Sequence, residues 1–103
     1  MAVRVPQALA PKSDADSPLA IDVDILAEKA TALGRAGEKV EKRLALLSEG
    51  ADDGPERERL LKAAAEAVHA YFIQRELCGM RRHEAVIREY AIPRAVLVRL
   101  GAR

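Results

Sequence analysis

Large aromatic side chains are nearly missing from this chain, which has no tryptophan, one phenylalanine and two tyrosines in 103 residues. A core made without them relies on alanine, leucine and valine, and calls for thin helices set close together. Cysteine is as scarce. The single Cys78 excludes an intramolecular disulfide framework. No stretch approaches the roughly 20 uninterrupted apolar residues of a membrane span, and the opening Met-Ala-Val-Arg-Val-Pro lacks the apolar core of a signal peptide. A cytoplasmic protein without membrane association is expected. Nor does any segment alternate apolar and polar residues over a useful length, so no sheet is expected either. A formal net charge of only +1 excludes a general bias toward nucleic acid or an acidic surface.

What the chain does have is helical periodicity. Val23, Leu26, Ala30, Leu33, Gly37, Val40, Leu44 and Leu47 follow one another in alternating steps of three and four, the seam of a helix that packs lengthwise against others. Ala30 and Gly37 lie on that seam with Gly34 and Ala36 beside it, so a neighbouring backbone is expected to approach closely. Ala30, Leu33, Gly34, Gly37 and Val40 are the candidate packing interface. This first helix is expected to start near Asp22 or Asp24, where a carboxylate accepts from a free first-turn amide, and to stop at Gly50. Residues 1–21, with Pro6, Pro11 and Pro18 and no periodic pattern, read as a loose or surface-laid tail, leaving 22–103 as one helical domain.

The turn Gly50 to Pro55 ends in Asp53 and Glu56, spaced as a capping box, with Pro55 in the first turn of a second helix. Leu60, Leu61, Ala64, Ala65, Ala67, Val68, Tyr71, Phe72 and Leu77 form a stripe too wide for one neighbour, which makes this the central helix. Gly79 breaks or bends it. A helical hairpin over 82–91 and 93–100 then follows, with Ile92-Pro93 as its turn and Gly101 as its stop. The fold expected is all-α: a small antiparallel bundle with a long first helix, a central second helix and a short C-terminal hairpin.

Few residues suggest chemistry. His69, Glu66, Glu76, Cys78, His83 and Glu84 are of ligand type, but they lack the paired spacing of a zinc knuckle or a zincin, so no metal, cofactor or catalytic residue is assigned. Gln74, Arg75, Glu76 and His83 form a polar cluster, with Arg75 expected to pair with Glu38 or Glu41 of the first helix. Charge is unevenly spread. Residues 1–54 hold seven basic and ten acidic side chains, whereas residues 79–103 hold six arginines against Glu84 and Glu89. Taken as helix, tight turn and helix, residues 83–103 have Val86, Tyr90, Ile92, Leu97 and Leu100 at approximately the spacing of a DNA-reading helix-turn-helix, with Arg94, Arg99 and Arg103 as its nucleic-acid contacts. Ile87 stands where that motif needs a small residue, and no Asn or Gln is present to read adenine. A bundle-closing hairpin with solvated or paired arginines is preferred.

The runs Leu33-Gly34-Arg35-Ala36-Gly37-Glu38, Tyr71 to Gly79 and Tyr90 to Gly101 resemble a family of short uncharacterised proteins from alphaproteobacteria, over about residues 22–103. The resemblance implies a small cytoplasmic all-helical protein and carries over no activity or binding residue. The function expected is that of a non-enzymatic interaction module that self-associates as a homodimer and can take a protein partner. The alternative is a DNA-associated regulator using residues 83–103.

Overall fold

The computed structural model describes residues 18–101, with side chains from Asp22 onward. Among these residues there are four helices and no strand: α1 Pro18–Glu49, α2 Gly54–Leu77, α3 Glu84–Glu89 and α4 Arg94–Leu97. The chain is all-α, dominated by its first two helices. Helix α1 begins before the expected aspartates, at Pro18, a residue whose fixed φ suits a first helical position. Of the expected tail, residues 1–17 lie outside the described residues and 18–21 are helical.

Helices α1 and α2 run antiparallel. Near the connecting turn an Arg57 Nη1 donates to the Leu47 carbonyl at 3.2 Å, and at the other end Lys29 Nζ donates to the Leu77 carbonyl at 3.3 Å. The turn is tight. Gly50 does not take the left-handed conformation expected of it. Its small size is what the turn requires, because a Cβ there would lie 2.9 Å from the Leu46 carbonyl oxygen and collide with Leu60 Cδ1. The expected capping box is also not formed. Asp53 has the extended backbone of an N-cap but makes no side-chain cap bond, and Glu56 pairs forward with Arg59 instead of reaching back.

At its far end α2 closes with a Schellman motif, in which Gly79 takes φ +90° and the Gly79 and Met80 amides donate to the Glu76 and Arg75 carbonyls at 3.0 and 2.9 Å. Gly79 is thus a stop and not a bend. A second Schellman motif ends α3: the Ala91 and Ile92 amides donate to the Arg88 and Ile87 carbonyls at 3.1 and 3.0 Å, with Ala91 at φ +53° in the glycine position. It turns Ile92 inward. The expected hairpin of 82–91 and 93–100 is therefore shorter, with α3 six residues long and α4 four.

Val40, Val68 and Val96, from α1, α2 and α4, are completely buried, and Ala64, Ala65 and Ala67 line the same interior. Small side chains let the helices sit close. Tyr71, Phe72, Val86 and Ile92 fill the remainder beside α3.

Candidate interaction surface

Only part of the α1 seam is covered by this fold. Gly37, Val40 and Leu47 are buried and Leu33 and Leu44 pack partly against the core, while Ala30, Leu26 and Val23 lie exposed. The reason is length. Helix α1 has 32 residues against 24 in α2, and the level at which α2 stops is marked by Cys78, whose thiol lies 4.0 Å from the Lys29 carbonyl oxygen. The residues of α1 before Lys29 overhang the end of α2, which leaves Val23 and Leu26 56% and 63% exposed. Leu77, at the end of α2, is 57% exposed beside them. Between the two lies an apolar hollow of about 320 Å³, lined by Leu26, Ala30, Leu33, Leu77 and Met80, with Lys29 at its edge.

The small residues of the candidate packing interface behave differently from one another. A Cβ on Gly37 would stand 3.0 Å from Tyr90 Oη and 3.5 Å from Tyr71 Cε1, so the close approach is made by two phenol rings rather than by a neighbouring backbone. Gly34 faces open space, with no atom within 4 Å of a Cβ there, and is not a crossing point. The two rings meet edge to face, with centroids 5.7 Å apart at 78°. Burial, then the Tyr71 hydroxyl and the Glu41 and Glu89 carboxylates, push the Tyr90 phenol up to about 12.

Three members of the polar cluster come together where α2 ends. Arg75 Nε donates to His83 Nδ1 at 3.1 Å, the other ring nitrogen lies 3.0 Å from Glu76 Oε2, and the imidazole stacks flat on Phe72 with centroids 4.1 Å apart. The Arg75 guanidinium can only donate, so Nδ1 is the accepting nitrogen and Nε2 the one that faces Glu76. Arg75 also donates to the Arg82 carbonyl at 2.7 Å and lies 6.0 Å over the Tyr71 ring, so its expected pairing with Glu38 or Glu41 is replaced by contacts to the α2–α3 link. Gln74 lies half-buried beside this clamp. No group of three metal-ligating residues occurs among the described residues.

The C-terminal arginines divide. Arg99 Nε and Nη2 grip the two Glu58 carboxylate oxygens at 3.0 and 2.9 Å, and its Nη1 donates to the Ala95 carbonyl at 2.6 Å. The guanidinium holds the Glu58 carboxyl below the usual carboxylate range. Its partner is thus an acid of α2. Arg94 is exposed, Arg103 lies outside the described residues, and α4 offers one turn rather than a two-turn recognition helix. Glu58 was missed in the sequence because its partner is 41 residues away.

A family model described as a family of unknown function (DUF6665) matches residues 5–103. The chain belongs to this family. No curated protein and no solved structure matches the chain. No described helix of this family member is long and apolar enough to cross a membrane.

Proposed function

We propose that this chain is a non-enzymatic helical interaction module that assembles with itself. The observation that carries the reading is the uncovered end of the α1 seam, where Val23, Leu26 and Leu77 stand more than half exposed and Leu26 and Leu77 line one apolar hollow. A seam whose covered part makes the core has the same spacing in its uncovered part, and such a surface gains by a second helix. The clamp of Arg75, His83 and Glu76 supports a structural role over catalysis, because both ring nitrogens are engaged within the protein. The single-turn α4 and the pairing of Arg99 with Glu58 speak for the module over the DNA-associated alternative. Cytoplasmic residence belongs to this proposal and is supported by the lone, half-buried cysteine.

Sedimentation velocity over a micromolar concentration series tests it. The expected result is a mass rising from 11.2 kDa toward about twice that value. A constant monomer mass would overturn the reading.

A further inference from the structure

The charges that flank the uncovered seam are ordered along α1. Asp22 and Lys29 each stand directly before a seam residue, Val23 and Ala30, and so border whatever lies on Val23, Leu26 and Ala30. We infer that the occupant is the same segment of a second copy, laid antiparallel about a two-fold axis between Asp24 and Ile25, so that each Asp22 meets the copy's Lys29. The inference rests on the self-association proposed above and adds its orientation, register and specifying ion pairs.

Several observations select this arrangement. In a parallel pair, Asp22 and Lys29 would fall opposite Ala27 and Gly34, which offer no charge. The antiparallel registers one step away set Asp22 against Asp22 or Lys29 against Lys29, which repels. In the chosen register Val23 packs on the copy's Leu26 and Leu26 on its Val23, which covers two of the most exposed apolar side chains of the molecule. The first turn of the copy's α1 then comes to the hollow beside Leu77 and Met80. There its positive helix end approaches the carbonyl end of α2, where Lys29 already donates to Leu77 and keeps further donors free for a carboxylate. Both α2 and the copy's α1 run antiparallel to α1, and the copy's first turn, level with residues 28–31 of α1, lies beside the end of α2.

Double electron–electron resonance separates the orientation from association itself. A spin label on Lys39→Cys, in a Cys78→Ala background, is expected at a separation of about 44 Å in the antiparallel dimer, from the 1.5 Å rise per residue over 14.5 residues on each side of the axis. Asp22→Lys alone should raise the dissociation constant about tenfold, and combining it with Lys29→Asp should restore affinity to within about threefold. A monomer in sedimentation would overturn both the self-association and this arrangement. A dimer with labels within roughly 20 Å, the parallel spacing, or one indifferent to charge reversal, would overturn the arrangement and leave self-association standing.

Discussion

Ala91 holds a conformation that costs an L-residue about 1 kcal/mol or more, at φ +53° in the position where the other Schellman motif has a glycine. Ala91→Gly is expected to stabilise the fold by about 0.5 to 1 kcal/mol in chemical denaturation, since the strain removed exceeds the added chain entropy. The two glycines of α1 should respond in opposite directions. Gly34→Ala, with open space around it, gains about 1 kcal/mol of helix propensity. Gly37→Leu forces a side chain into the Tyr71 and Tyr90 rings and should cost about 1 to 3 kcal/mol. A melting temperature raised by both substitutions would contradict this contrast. In the sequence the two glycines look alike, three residues apart on one helix; the positions of Tyr71 and Tyr90, 34 and 53 residues beyond Gly37, tell them apart.

Tyr90 also makes a pH prediction. Its neutral form is favoured in the folded chain, at about 12 against an ordinary 10.0, so the contribution is present below pH 10 and is lost as pH rises toward 12, where an unfolded chain has already released the proton. An ultraviolet titration should show a late phenolate phase that is absent in Tyr90→Phe, and thermal stability should fall over the same interval.

Among the elements, the link between α2 and α3 depends on a clamp of different physics from the core. His83 stacks on Phe72 and accepts from Arg75, so His83→Ala leaves a partly buried guanidinium without its acceptor and should cost about 1 to 3 kcal/mol. The loss should appear as faster amide exchange in Met80–Val86 before the rest of the chain. Helices α1 and α2 were legible from periodicity, and Gly79 from its punctuation. The capping box was not formed because Glu56 found Arg59 one turn on, a competition that spacing alone does not resolve. Arg75 likewise had acids within plausible reach on α1, but the α2–α3 link folds back and presents the His83 ring and the Arg82 carbonyl nearer to it.

At the scale of the molecule the consequence of unequal helices is an apolar overhang at one end, where Val23 and Leu26 stand beyond the end of α2. Leu26→Asp places a charge on that overhang without touching the buried valines. Helicity and melting should stay near those of the parent while association is lost, and a variant that unfolds would mean that Leu26 belongs to the intramolecular core. Fluorescence anisotropy with duplex DNA at low salt should show no binding that depends on Arg94 and Arg99. Micromolar binding abolished by their joint replacement with alanine would favour the DNA-associated reading instead.

Local sequence alone determined that this chain is all-α, where its two long helices lie and which residues line the α1 seam, because helical period and glycine punctuation act over a few residues. The tertiary structure decided how far along that seam α2 reaches, and hence which part of it is core and which is surface. That boundary depends on the level set by the Gly50 turn and the stop at Gly79, and on contacts such as Cys78 with Lys29, 49 residues apart. It decided in the same way that Arg99 is held by Glu58 and that Tyr90 lies on Gly37. Such pairings depend on the summed geometry of two helices and a turn, which no periodicity within one helix contains.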